Sequence, residues 1–274
     1  MHVMLKNTSL LVAVMLLVTN VGRSQDWEFG LSGGMSGYMG ELNPTNPLKL
    51  NDWTLGLLVR KNLSRNWAVR FNFLRANTQG DGASNSNEFV RQQQLYFKSP
   101  IYEASLVGEF NFFKFEPSYG RVSYTPYLFA GIGGFHFQPK NYNFDGELVN
   151  LHDYQTEGVD YKRYALSIPF GVGFRYNLRG PWTIGVELGY RIAFTDYIDD
   201  ISGDYINGFD WVPGRNRLGD EELNQRLYFI DPSQQMLVGT QRGDGRQKDT
   251  YMLATFTVTY AIFRAGCPVY IKKN

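Results

Sequence analysis

Residues 164–200 constrain this chain more than any other stretch: YALSIPFGVGFRYNL, then RGP, then WTIGVELGYRIAFTDYIDD. In the second arm Trp182, Ile184, Val186, Leu188, Tyr190, Ile192 and Phe194 share one parity. Thr183, Gly185, Glu187, Gly189, Arg191, Ala193 and Thr195 share the other. The first arm behaves alike: Tyr164, Leu166, Ile168, Phe170, Val172, Phe174, Tyr176 and Leu178 alternate with Ala165, Ser167, Pro169, Gly171, Gly173, Arg175 and Asn177. A period of two sends successive side chains to opposite faces, so both arms read as β-strands. Ordinary strands run about five or six residues, whereas a strand that crosses a bilayer needs about 9–11. Each arm exceeds that length. Each apolar face is aromatic at both ends and aliphatic between, the profile of a lipid-facing surface with interfacial girdles. The tight link at 179–181 makes the pair a transmembrane β-hairpin. Its edges have to be closed by other strands, because lipid offers nothing to an unpaired N–H or C=O.

Composition agrees with that reading. The chain of 274 residues has 29 glycines, 16% aromatics and a net charge of +1. Its mean hydropathy is slightly negative, as expected when only alternate strand residues face lipid and the loops are polar. No apolar run of about 18 residues follows residue 25, which excludes a helical membrane protein. The balanced charge offers nothing to nucleic acid. Lys6, the apolar run 10–18 and the small residues around Gly22-Arg23-Ser24 read as a secretory signal peptide over residues 1–24. A single domain over 25–274 remains. The one cysteine, Cys267, excludes an internal disulfide. Export together with spanning strands implies the outer membrane of a diderm bacterium.

Eight strands are expected, at about 27–39, 52–62, 66–76, 101–113, 125–137, 164–178, 182–195 and 250–263. The fifth, TPYLFAGIGGFHF, is apolar on both parities, so its register stays open. The links at 63–65, 114–124 and 179–181 are short; those at 40–51, 77–100, 138–163 and 196–249 are long. Outer-membrane barrels pair short periplasmic turns with long extracellular loops, so both termini are expected in the periplasm. The alternative is a ten-stranded barrel, with extra strands near 226–230 and 236–240 inside the longest loop.

An eight-stranded barrel has room for side chains and little else. The inward parity carries Arg60, Arg70, Glu103, Glu109, Arg175, Glu187 and Arg191. Buried charges of both signs need pairing, so the interior reads as a salt-bridged plug rather than a channel. Chemistry is thin elsewhere. His136 and His152 lack any nucleophile, HExxH or paired-cysteine context. The acidic run TDYIDDISGD offers Asp196, Asp199, Asp200 and Asp204 near a strand end. It lacks EF-hand spacing and reads as a solvated or hydrogen-bonded loop. No catalytic residue, metal, cofactor or small-molecule substrate is expected; outer-membrane lipid is the expected environment.

Several segments together resemble the PorG family of outer-membrane β-barrels, components of the type IX secretion system in Bacteroidota. They are YMGELNP (38–44), KSPIYEASLVGEFNFF (98–113), TPYLFAGIGGFHFQPK (125–140), LSIPFGVGFRYNL (166–178), WTIGVELGYRIAFTDYIDDISGDY (182–205) and the RG…KD…Y run of 242–251. The resemblance implies a non-enzymatic role: anchoring the secretion machine to the outer membrane through a periplasmic ring lipoprotein. It serves a system that exports adhesins, hydrolases and gliding-motility proteins. On this reading the contact surface is periplasmic, with Lys114, Tyr119, Arg121 and Arg179 as candidates by position, joined by the tail 264–274. The competing expectation is a surface barrel whose loops bind a ligand or host surface through Asp196, Asp199, Asp200 or the aromatics Tyr205, Phe209 and Trp211. A small porin is the third.

Overall fold

The computed structural model describes residues 27–43, 46, 48–117, 123–178, 180–209, 219–243, 245 and 248–262. In chain order the elements are β1 (Trp27–Met39), β2 (Asp52–Asn62), β3 (Trp67–Asp81), α1 (Glu88–Gln93), β4 (Tyr96–Asn111) and β5 (Tyr124–Phe137). Then come β6 (Lys140–Tyr142), β7 (Leu148–Asn150), β8 (Tyr164–Asn177), β9 (Trp182–Ala193), α2 (Asp220–Ile230) and β10 (Thr250–Ile262). The signal-peptide and tail expectations fall outside the described residues.

Eight of the strands close an antiparallel barrel in the order β3-β2-β1-β10-β9-β8-β5-β4, with β3 pairing back onto β4. First and last strands meet along their whole length, from Trp27 opposite Ile262 to Met39 opposite Thr250. Closure leaves these strands no free edge, the condition for spanning lipid with β-structure. β1 starts and β10 ends at the short-turn end.

The parity read from the sequence becomes inside and outside. Leu31, Leu55, Leu57, Phe71, Leu106, Val172, Val186 and Phe256 are exposed around the waist. Trp27, Trp67, Tyr124, Trp182 and Tyr260 ring the short-turn end, and Trp53, Tyr102, Tyr164 and Phe194 ring the other. An apolar belt between two aromatic girdles is the surface of a transmembrane barrel. β5, ambiguous in sequence, turns Tyr127, Phe129, Phe135 and Phe137 inward. Its alternate parity turns Tyr124, Leu128, Ile132 and His136 outward.

Two expectations are corrected. β3 and β4 run five residues further toward the loop end than their apolar pattern extends, pairing out to Asp81 opposite Tyr96. The loop between them shrinks to residues 82–95, which carry the six-residue helix α1. The two extra strands of the ten-stranded alternative do not form: residues 226–230 belong to α2, and 236–240 hold turns. The DEEL start of α2 places three acids at the helix N-terminus, where the peptide dipoles favour them.

A charge inside the exposed belt tests the membrane assignment. Leu57→Arg, flanked by Leu31 and Phe73 on the neighbouring strands, should cost about 2–4 kcal/mol of folding free energy in vesicles. Urea titration of the refolded barrel measures it; unchanged stability would place that face in water.

Candidate functional site

The lumen is organised by Glu109 of β4. Arg60 of β2 donates to it from Nε at 2.8 Å and Nη2 at 3.3 Å. Arg70 of β3 lies 2.8 Å away and Arg175 of β8 3.2 Å away. Arg60 also reaches Glu28 of β1 at 2.8 Å, and Arg70 reaches Glu187 of β9 at 2.7 Å. Further along, Arg191 faces Glu103 at 3.5 Å, and the Tyr251 hydroxyl donates to the same carboxylate at 2.5 Å. Four arginines therefore meet four glutamates, all buried. Neutral donors complete the set: Asn62 and Thr259 to Glu28, and Tyr127 to Glu187 at 2.8 Å. Such a network is tolerable in a dry interior only because every charge has an opposite neighbour.

Glycine makes room for it. A Cβ at Gly173 would stand 2.3 Å from the Tyr127 ring, and one at Gly189 would stand 2.3 Å from the Arg191 guanidinium. At the short-turn end the β4–β5 connection folds inward. Phe115 is buried there, its ring centroid 4.6 Å from the Arg175 guanidinium carbon. That is cation–π distance, and it stops the lumen from below.

The loop end is a folded cap over an apolar upper tier. Phe97, Ile101, Phe135, Phe137, Leu151 and Phe229 belong to one cluster, so the interior is not the charged plug alone that the strand parity suggests. Two arginines staple the cap. Arg226 of α2 donates to the carbonyls of Tyr154 at 3.0 Å and Gly208 at 2.8 Å. Arg242 donates to Glu157 at 2.8 Å and to the Asp200 carbonyl at 2.7 Å.

Beneath the cap sits a group of carboxylates. Glu41 follows β1, Asp196 and Asp199 follow β9, and Asp249 precedes β10. The Tyr38 hydroxyl touches three of them: Glu41 at 2.9 Å, Asp199, and Asp249 at 3.2 Å. Backbone N–H groups of Ile198 and Ile201 donate to Asp249 at 2.9 Å and Asp199 at 3.0 Å. Burial, reinforced by the neighbouring carboxylates, pushes Asp199 and Asp249 well above the usual carboxylate range. Burial raises Glu41 to about 7. Asp200 turns away into its own pocket, accepting from Thr156 and from the Tyr161 hydroxyl at 2.5 Å. Burial raises it to about 6 against the opposing pull of Arg242.

All seven lumen candidates, Arg60, Arg70, Glu103, Glu109, Arg175, Glu187 and Arg191, lie together inside the barrel. Sequence reading missed Glu28, although its strand parity opposite Trp27 and Phe29 carried the signal. It also missed Tyr127, which lay in a segment apolar on both parities, and Tyr251. The proposed surface contacts Asp199, Asp200 and Tyr205 are corrected: each is buried at 1–2% exposure and points into the cap. Asp196 is half-buried, Asp204 and Phe209 are exposed, and Trp211 lies outside the described residues. Lys114 is exposed at the short-turn end; Tyr119, Arg121 and Arg179 lie outside the described residues. His136 stands on the outer face of β5 beside Tyr164, ring centroids 4.6 Å apart. His152 bonds the Tyr161 carbonyl at 3.0 Å and lies 3.1 Å from Asp160. The two histidines share no partner.

A family model described as "Domain of unknown function (DUF6089)" matches residues 7–208, and the chain belongs to that family. No curated protein sequence matches it. Among solved structures it is similar to Ail, the attachment invasion locus protein of Yersinia pestis, in complex with the heparin analogue sucrose octasulfate. That pair shows 11% identity over 88% of this chain and 100% of that one, TM-score 0.39. The N-terminal β-barrel domain of Pseudomonas aeruginosa OprF gives 10% identity over 87% and 98%, TM-score 0.39. Neisserial surface protein A gives 8% over 85% and 96%, TM-score 0.40.

Removing Glu109 leaves Arg60, Arg70 and Arg175 without their shared acceptor. Glu109→Ala should destabilise the refolded barrel by about 3–5 kcal/mol in urea titration. Glu116→Ala, which breaks an exposed pair with Arg65, should change stability little. Equal effects would deny the lumen network its structural role. The mouth carboxylates predict a pH dependence. Folding raises their pKa, so the folded protein binds more protons than the unfolded one between about pH 4 and about 7. Their contribution to stability is present at low pH and declines as pH rises through that window. With divalent cations chelated, hydrogen exchange at 196–202, corrected for intrinsic rates, should speed up from pH 4 to 7.

Proposed function

We propose that this member of the family is a non-enzymatic, sealed scaffold in a diderm outer membrane that anchors part of the type IX secretion machinery. The observation that carries the scaffold reading is the filled lumen. Phe115 closes the short-turn end, four arginines and four glutamates fill the middle, and apolar side chains fill the rest beneath the cap. A barrel packed in this way works through its ends, not through its bore.

The choice of machine rests on resemblance. The PorG-like segments run in the same order along most of the chain. On this reading both termini and the short turns face the periplasm, where the exposed Lys114 and the Arg65–Glu116 pair present charge to a ring lipoprotein. The partner is a proposal from that likeness.

One observation favours a second reading, a surface barrel that binds a ligand. Phe144, Phe209 and Val238 are exposed around a cleft beside α2, on the outward side of the cap. Exposed apolar side chains gathered at one place mark interaction sites.

A deletion strain and a site-specific crosslinker separate the two. The anchor reading predicts loss of type IX cargo secretion on deletion, and capture of a periplasmic lipoprotein by a photocrosslinker at position 114. Replacing the cleft residues Phe144 and Val238 by serine should leave secretion intact. Normal secretion in the deletion strain would remove the anchor. Loss of surface binding in the serine variants would favour the alternative.

A further inference from the structure

We propose that the carboxylates Glu41, Asp196 and Asp249 beneath the cap form a calcium-binding site. Ligand oxygens of the three lie within 4.8 Å of one another. Oxygens sharing a calcium ion stand at such separations, because each bond is about 2.3–2.6 Å long.

A second observation points to a ligand independently of the clustering. Glu41 is only 4% exposed, yet its Oε1 meets no hydrogen-bond partner among the described residues. A buried carboxylate oxygen with nothing to accept carries its full desolvation cost. The hydrogen count around Tyr38 sharpens the point. One phenol hydrogen faces oxygens of Glu41, Asp199 and Asp249, and the Ile201 and Ile198 N–H groups donate to Asp199 and Asp249. No lysine or arginine among the described residues forms an ion pair with Glu41, Asp199 or Asp249. Elsewhere in this barrel buried glutamates are matched by arginines. Here Glu41 Oε1 has no such match, and a divalent cation would supply one.

The donor set selects the ion. It is all oxygen, with no histidine or thiolate, which argues against zinc and copper. Carboxylates projecting from three separate loop segments give an irregular shell. Calcium accepts such a shell, while magnesium demands a near-ideal octahedron. The ion would tie the end of β1 to both ends of the β9–β10 connection, segments more than 150 residues apart along the chain. It would therefore clamp the cap onto the barrel mouth. This inference does not depend on the anchor reading and holds for either proposed function.

Refolded barrel, stripped with EDTA, should be titrated with calcium chloride by isothermal titration calorimetry. One saturable site per chain is expected, with a Kd of about 10⁻⁴–10⁻³ M, as for extracellular modules. Glu41→Gln combined with Asp249→Asn should weaken it by about tenfold or more. Asp204→Asn, at an exposed acid of the same loop, should not change it. Heat-modifiable gel migration verifies each fold. If the double variant fails to fold, the half-buried Asp196→Asn alone should still weaken binding several-fold. Absence of saturable calcium binding in the folded wild type, unchanged affinity in the folded variants, or binding of magnesium but not calcium would overturn the site.

Discussion

Glu109 is the group on which the rest of the structure depends. One carboxylate, fully buried, is approached by the guanidinium groups of Arg60, Arg70 and Arg175. Two of those arginines pass the pairing on to Glu28 and Glu187. Six of the eight barrel strands, with β1 and β9 reached through those two glutamates, are thereby joined across the lumen rather than only along their edges. A slip of one residue in any of these strands would throw its charge into lipid and leave its partner unpaired inside. Lumen charge and lipid belt thus fix the same register from opposite faces of the sheet.

The remaining features adapt to that centre. Gly173 and Gly189 are bare because Tyr127 and Arg191 occupy the space above them. Phe115 is drawn inward to stand against Arg175, converting a connection into a stopper. At the opposite end the strands outrun the membrane and the chemistry changes. The interior becomes apolar, α2 lies across it, and Arg226 and Arg242 fasten the loops through carbonyl groups. The mouth carboxylates belong to this upper level. Their electrostatics are the reverse of the lumen's, with acid facing acid.

Most of the barrel was legible because a membrane strand writes its two faces with a strict period of two. The boundaries of β1, β2 and the opening hairpin follow directly from where alternation starts and stops. Legibility failed where the physics no longer demands alternation. Above the membrane β3 and β4 are covered on the outside by water and on the inside by the cap, so their continuation to Asp81 and Tyr96 left no pattern. α2 was unreadable as a helix because its apolar residues, Leu227, Phe229 and Ile230, sit in a short run beside charged ones. The charged lumen could be read residue by residue, since Arg or Glu on a strand's inward parity has few other places to go. The mouth site could not: Glu41, Asp196 and Asp249 are joined only by the closure that brings β1 against β10 and β10 against β9. The segments that supply them are among those resembling PorG, YMGELNP, FTDYIDD and the KD of 248–249, but their meeting point is a fact of the fold.

With Phe115 at one end, the ion-paired middle and the apolar tier beneath the cap, the barrel is filled and not a pore. Planar-bilayer recording of the refolded barrel tests that most directly. The structure predicts no steady conductance above the lipid baseline. A stable, reproducible open level from the folded wild type would mean that ions pass the Glu109 centre, and would contradict the sealed-barrel account.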